Sequence, residues 1–369
     1  MEKDNLRLVV LNSCSNFGKL VNEQLKLIRN TDFNYMVPIG ETRFANSEGK
    51  ARILQSVRGC EVFILADVGN YEQEYQMFGY TNRTSYNDNF MDILNSISAC
   101  AGTADKIWVV EPLLYGSRQH KREGRESLTC AQSLHILEFL GVKGIISYDV
   151  HDPTVRSALN RTSFDNLYPT NTMLEYFLEN EDIDFNNLTI LNPDLGATKR
   201  ANYFGKILQC PIGAFTKERD TSIVLNGQHP IKSHKYIGSE PLNDKNIIIV
   251  DDMIASGGSM IDTARMAKEE GANKIFLFAT FGLFSNGNKS IEMFNEAYAN
   301  NIIDKVYVTN LSYIPERIST LPWIEIVDFA PHLAKVIHTL NQNESIEPLM
   351  NGKEEVTAKI LQKKLLYNK

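Results

Sequence analysis

At 369 residues, with 43% hydrophobic and 22% charged side chains, the chain is long enough for two domains with complete cores and has the composition of a globular protein. A net charge of −7 argues against a nucleic-acid surface, so any cations that meet phosphates must be gathered locally. Cys14, Cys60, Cys100, Cys130 and Cys210 show no C-x-x-C spacing, which points to reduced thiols and no zinc site. No apolar run approaches the ~20 residues of a membrane span. The N-terminus is charged and then strand-like, so neither a signal peptide nor a spanning helix is expected and a cytoplasmic location is.

Taken in order, the chain alternates between strand and helix patterns. Leu6–Leu11 reads as a strand, Phe17–Leu27 as a helix, Glu61–Ala66 as a strand and Phe90–Ala101 as a helix. Lys106–Val110 is a strand, Thr129–Leu140 a helix and Gly144–Asp149 a strand. A second series follows, with strands near Leu188–Leu191, Ile212–Phe215, Asn246–Val250, Lys274–Thr280, Lys305–Thr309 and Ile324–Val327, and helices between most of them. Alternation of this kind predicts parallel sheets covered on both faces, and two series predict two α/β domains, with a boundary around Ser157–Phe164.

The most informative stretch is Asn246–Phe284. The apolar run Ile247-Ile248-Ile249-Val250 suits a strand buried on both faces, and it is expected to stop at the pair Asp251 and Asp252. Ala255, Ser256, Gly257, Gly258 and Ser259 then form a turn of small residues before a helix with Met260, Ala264 and Ala267 on one face. Inward-turned amides and the positive end of a helix dipole make such a turn an anion site. Paired acids beside it would repel a triphosphate but can hydrogen-bond vicinal hydroxyls, so a sugar carrying a terminal phosphate suits both halves. A plain strand–turn–helix, with aspartates as caps, is the alternative.

This string resembles the phosphoribosyl-binding loop of type I phosphoribosyltransferases and, more closely, that of ribose-phosphate pyrophosphokinases; Ala279–Ser285 is similar to the segment that follows the loop in the latter. The resemblance covers nearly all of residues 6–350. It implies two similar domains, each a mainly parallel sheet flanked by helices, over 1–158 and 159–350, with 351–369 as an extension. It also implies a transferase that moves the diphosphoryl group of ATP to the C1 hydroxyl of ribose 5-phosphate, with Mg²⁺ and a dimer-based homo-oligomer that extends in some members to a hexamer.

Site residues carry over by motif. Phe44, Asn46 and Glu48, ahead of Ser56-Val57-Arg58-Gly59, match the adenine-binding loop, where Phe44 would stack on the base and the polar tips would meet its edge. In the family this loop reaches a neighbouring subunit's site. Arg118 and Gln119 match an ATP-contacting Arg-Gln at the head of the most basic segment of the chain, with His120 in place of an acid. His151, in Tyr148-Asp149-Val150-His151-Asp152, matches a magnesium ligand, and Asp194 matches an acid near metal and ribose. Lys217 and Arg219 match the two cations of a mobile catalytic loop, with Glu218 departing from the pattern. The ribose 5-phosphate would sit on Asp251, Asp252 and residues Ala255 to Ser259.

Three departures stand out. Ala255 occupies a position usually held by Asp. Residues 69–88 carry a tyrosine-rich insertion, read as a tolerated surface element with a lid or an interface as alternatives. The basic, amphipathic tail 351–369 reads as a surface helix, with an oligomer contact as one use. Two other functions stay open: a phosphoribosyltransferase that consumes phosphoribosyl diphosphate, and a catalytically weak partner of active synthase subunits.

Overall fold

The computed structural model describes residues 4–194, 196–219, 231–350 and 353–366. Contacts divide the chain into two compact units: Met1–Pro169, Asn310–Tyr313 and Asp328–Asn351 form the first, and Thr170–Thr309, Ile314–Val327 and Gly352–Lys369 the second.

The first unit is built on β1 (Leu6–Val10), α1 (Ser15–Arg29), β2 (Ile39–Arg43), β3 (Gly49–Ile53), β4 (Glu61–Leu65), β5 (Glu74–Met77), β6 (Tyr80–Arg83), α2 (Tyr86–Cys100), β7 (Lys106–Val110), α3 (Thr129–Phe139), β8 (Gly144–Tyr148) and β9 (Ser163–Leu167). Five of these strands form a parallel sheet in the order β1-β4-β7-β8-β9. Strands β4 and β8 are buried along their whole length, as expected of apolar runs covered on both faces. The chain boundary falls later than Ser157–Phe164 because β9 joins this sheet beside β8. Two hairpins, β2–β3 and β5–β6, stand outside the sheet. Helix α2 begins at Tyr86, four residues before the expected Phe90. Its start is set by a capping box: Asp88 N–H donates to Ser85 Oγ at 3.1 Å while Ser85 N–H donates to the Asp88 carboxylate at 2.8 Å.

The second unit contains α4 (Thr170–Asn180), β10 (Leu188–Asn192), α5 (Thr198–Leu208), β11 (Ile212–Arg219), β12 (Ile231–Gly238), β13 (Asn246–Ile254), α6 (Gly258–Glu269), β14 (Ile275–Gly282), α7 (Asn288–Ala299), β15 (Lys305–Thr309), α8 (Glu316–Ser319) and β16 (Ile324–Val327). Its seven strands run β12-β11-β10-β13-β14-β15-β16, all parallel except the β11–β12 pair. Ile247, Ile248, Ile249 and Val250 at its centre have no exposed surface. Burial of each such side chain is worth about 1.5–3 kcal/mol. On one side Ile247 and Ile249 join a core that includes Leu277, Ala264 and the aromatic group Phe284, Phe294 and Trp323.

Two later helices complete the units. In the first, α9 (Ala330–Asn341) packs on α1, and Asn341 Nδ2 donates to the buried Glu61 carboxylate at 2.7 Å; a four-residue turn, α10 (Glu347–Met350), follows. In the second, α11 (Lys353–Leu366) lies on α4 and α5. The tail read as a surface helix is therefore docked: Val356 and Ile360 are fully buried, and Lys359 pairs with Glu179 at 3.2 Å. No described helix is long and apolar enough to cross a membrane.

Ile360→Ala should lower stability by about 2–4 kcal/mol, read as a shift of the denaturant midpoint. The same change at the exposed Leu361 should leave the midpoint within about 0.5 kcal/mol of the parent.

Candidate active site

In the second unit the chain leaves β10 toward β11 on one side, and β13 opens the run β14-β15-β16 on the other. Strands β10 and β13 are adjacent and in register, Leu191 opposite Ile249, so the point where the strand order reverses lies between their C-terminal ends. Open α/β sheets bind ligands in that crevice. Asp194 follows β10, and Asp251, Asp252 and the small-residue turn belong to the end of β13.

The strand does not stop at the acids. It runs on to Ile254, with Met253 opposite Phe281 and Ile254 opposite Gly282, because the apolar Met253 and Ile254 extend the pairing with β14. Adjacent strand residues point to opposite faces, and burial follows: Asp252 is buried, while Asp251 keeps part of its carboxylate accessible.

The turn after it is pinned from behind. Leu283 and Phe284 N–H groups donate to Ile254 O at 3.0 and 2.9 Å, Ser285 N–H to Ala255 O at 2.7 Å, and Ser290 Oγ–H to Ser256 O at 2.8 Å. Gly257 adopts φ +86° as the cap of α6, and a Cβ there would overlap the Phe294 ring. Gly258, by contrast, is open: a Cβ would meet nothing nearer than Ser256 Oγ at 3.8 Å. With its carbonyls tied back, the turn leaves the amides of Ser256, Gly257, Ser259 and Met260 without a protein acceptor among the described residues. Open amides at a helix N-terminus are an arrangement that can hold an anion.

Its electrostatics favour a polar ligand. Burial pushes the Asp251 carboxyl up to about 7; neighbouring Asp252 and Asp194 add to the rise, while the Asp252 N–H bond at 2.9 Å and Arg200 at 3.9 Å oppose it. Arg200, on the first turn of α5, was not singled out from the sequence; its signal was its position just after the Asp194 turn. Asp194 is exposed, accepts Ala197 N–H at 3.1 Å and thereby shapes the start of α5.

Lys217 and Arg219 do not follow a strand as expected; they lie within β11, Lys217 opposite His234 and Arg219 opposite Ile231, with an irregularity between Glu218 and Arg219. Their side chains, and the segment 220–230, lie outside the described residues.

In the first unit, Phe44 to Glu48 form the tip of the β2–β3 hairpin, closed by Phe44 N–H to Glu48 O at 2.9 Å. Phe44 is 47% exposed at this tip. Asn46 Nδ2 donates to Glu48 at 3.0 Å, orienting both polar tips. The tip borders an open groove of about 620 Å³ lined by Arg43, Glu48, Lys50, Asp88, Met91 and Asn95, among others. Arg118 and Gln119 are exposed, in a loop turned by Gly116 and held by Gln119 N–H to Gly116 O at 2.7 Å. His151 is exposed beyond the end of β8, after Asp149 at φ +42°. His120, noted only as a replacement for an acid, has its ring 5.4 Å from that of His151 and its Nε2 3.5 Å from Asp152. No described group of three or more His, Cys, Asp or Glu could hold a metal ion by itself.

Two carboxylates passed over in the sequence matter here. Asp67 is fully buried and accepts from Gly69 N–H at 2.8 Å, Tyr313 N–H at 2.6 Å and Ser312 Oγ–H at 2.9 Å, which ties residues 310–313 into the first unit. Burial pushes it up to about 6. Glu111, at the end of β7, is raised by burial to about 8, and its Oε2 has no partner. Each reads in sequence as an acid after an apolar run, with nothing local to announce its burial.

Each unit is a mixed α/β fold, a mainly parallel sheet flanked by helices, and in the second the open amides lie at the strand-order reversal. A profile of the N-terminal domain of ribose phosphate pyrophosphokinase matches residues 6–141, and one of the phosphoribosyl synthetase-associated domain matches residues 237–351. The chain belongs to the ribose-phosphate pyrophosphokinase family of transferases. Ribose-phosphate pyrophosphokinase 2 of Schizosaccharomyces pombe is 29% identical over 315 residues, covering 85% of this chain and 89% of that protein. The ribose-phosphate pyrophosphokinase of Prochlorococcus marinus is 25% identical over 345 residues, covering 89% and 95%. The crystal structure of phosphoribosylpyrophosphate synthetase from Mycobacterium smegmatis shares the fold, with a TM-score of 0.75 at 22% identity, over 92% of this chain and 99% of that one.

Gly257→Ala should cost about 1–3 kcal/mol through strain and the clash with Phe294, whereas Gly258→Ala should change stability by less than about 0.5 kcal/mol; chemical denaturation separates them. For Asp251 the folded-state pKa lies above the unfolded value of 3.8, so its contribution to stability is present at low pH and is lost as pH rises toward about 7. Asp251→Asn should therefore be more stable than the parent by about 1–3 kcal/mol at pH 8 and equal to it near pH 4, as followed by denaturation at each pH.

Proposed function

We propose that the protein transfers the diphosphoryl group of Mg·ATP to the C1 hydroxyl of ribose 5-phosphate, giving 5-phosphoribosyl 1-diphosphate and AMP for nucleotide biosynthesis. The observation that carries this reading is the cradle of open amides after β13, set beside Asp251 at the strand-order reversal. The 5-phosphate takes the amides of Ser256, Gly257, Ser259 and Met260, and the ribose hydroxyls take the acids, with Asp251 the more accessible of the two. Phe44 stacks on adenine, Asn46 and Glu48 meet its edge, and Arg118 and Gln119 hold the phosphates.

The C1 hydroxyl oxygen attacks Pβ, the bond from Pβ to the bridging oxygen breaks, AMP departs with that oxygen and the hydroxyl proton passes to solvent. Lys217 and Arg219 neutralise charge on the transferring group, and fixed positioning of both substrates supplies much of the remaining rate. The exposed Asp194 carboxylate would suit a Mg²⁺ ion, which prefers oxygen ligands; His151, exposed in the first unit, is the other candidate ligand. Bound there, the ion supplies charge neutralisation on the phosphate oxygens. We also infer a homo-oligomer of dimers working in the cytoplasm.

One observation favours a second reading, a weakly active partner of other synthase subunits: Ala255 removes an acid from beside the sugar. Incubation with Mg·ATP and ribose 5-phosphate should yield AMP and phosphoribosyl diphosphate in equal amounts by ³¹P NMR. Lys217→Ala and Arg219→Ala should each lower kcat by about 10²–10³. Absence of AMP, together with stimulation of an active relative on mixing, would establish the second reading. Ala255→Asp should then raise turnover from nothing, whereas in an active enzyme it alters an existing rate.

A further inference from the structure

The inserted segment folds as a tight hairpin in which β5 and β6 pair from Glu74–Arg83 to Met77–Tyr80 around Phe78 and Gly79. Both turn residues have positive φ, +49° for Phe78 and +80° for Gly79. This is a two-residue turn whose first position favours Asn, Asp or Gly; a phenylalanine there is strained, and its ring is also 74% exposed. No residue of Glu74–Arg83 is buried, so the hairpin contributes nothing to the core.

What it does touch is the Phe44–Glu48 tip. Phe78 N–H donates to Ala45 O at 3.0 Å, joining the two hairpin tips through their backbones. The Tyr75 ring receives the Arg43 guanidinium on its face, 5.6 Å from the centroid. Arg43 is the residue that holds the tip from below: it bonds Ser47 O at 3.2 Å and pairs with Asp92 at 2.5 Å and Asp88 at 3.4 Å. The hairpin thus grips the tip at two points, one at the bend and one at its base.

We propose that the β5–β6 hairpin is a brace that preorders the nucleotide-binding tip, with Tyr75 and Phe78 as positioning residues for ATP. The proposal rests on the assignment of Phe44–Glu48 to adenine. A loop already ordered in its binding shape binds more tightly because less freedom is lost on association, so the brace acts on ATP affinity and leaves the transfer step alone.

The ends of the hairpin make a clean test. Thr84 N–H donates to Gln73 O at 2.8 Å, so Gln73 and Thr84 are already paired across the base. Replacing residues 74–83 by Asn-Gly should close the chain there without disturbing the helix α2 cap. In steady-state assays with Mg·ATP and ribose 5-phosphate, this variant should raise KM for ATP about five- to tenfold, with kcat and KM for ribose 5-phosphate within about twofold of the parent. Tyr75→Ala should raise KM for ATP about two- to fivefold, and Tyr75→Phe, which keeps the ring face, should restore it. Unchanged KM for ATP in the shortened variant overturns the brace. Phe44→Ala, assayed in parallel, tests the underlying assignment: if it too leaves KM for ATP unchanged, adenine lies elsewhere, and if it alone raises KM, only the brace is lost. Should the protein lack turnover, equilibrium binding of Mg·ATP to the same variants reads the same affinities.

Discussion

The second unit depends on one constraint: strand β13 must be entirely apolar where it crosses the sheet and charged where it emerges. Four β-branched residues with no exposed surface fix its position between β10 and β14, and that fixity lets an otherwise costly acidic pair stand at its end. The same strand then has to turn without closing over the opening it creates. Carbonyls tied to residues 283–285 and Ser290 solve this by turning the acceptors inward and leaving the donors without a protein acceptor among the described residues. Packing, charge and hydrogen bonding at this corner are three aspects of one arrangement, since loosening the strand would misplace the acids and the amides together.

Much of this was legible. The strands Lys106–Val110, Lys305–Thr309 and Ile324–Val327 fall as expected, because each is a short apolar run bounded by charge or turn residues. The strand, turn and helix from Asn246 to Glu269 were readable because the pattern is local: small residues, a following helix face and a preceding apolar strand lie within one window of sequence. The early start of α2 was missed because a cap is a polar signal outside the periodic pattern. Both extra hairpins and the extension of β11 through Lys217 and Arg219 were missed because exposed strands carry polar residues and give no strong alternation. The burial of Asp67 and Glu111 follows only from tertiary packing.

The two units distribute their polar groups differently. In the second, the acids, Arg200 and the amides gather at the C-terminal ends of the central strands β10 and β13. In the first, the ATP candidates sit on protruding features, a hairpin tip and an exposed loop, and the fully buried acids stitch the chain together. Groups on protruding features depend on neighbours for their order, as the contacts of Arg43 illustrate.

The return of residues 310–313 and 328–351 to the first unit has a consequence for biosynthesis. Helix α9 packs against α1, and Asn341 caps the buried Glu61, yet more than two hundred residues are translated between these partners. The leading sheet cannot finish folding as it leaves the ribosome; it must wait, part of its apolar surface uncovered, until nearly the whole polypeptide has emerged. A growing chain of this design is most exposed to chaperones and proteases midway through its synthesis, and truncation before α9 leaves α1 without its packing partner and the buried Glu61 without Asn341.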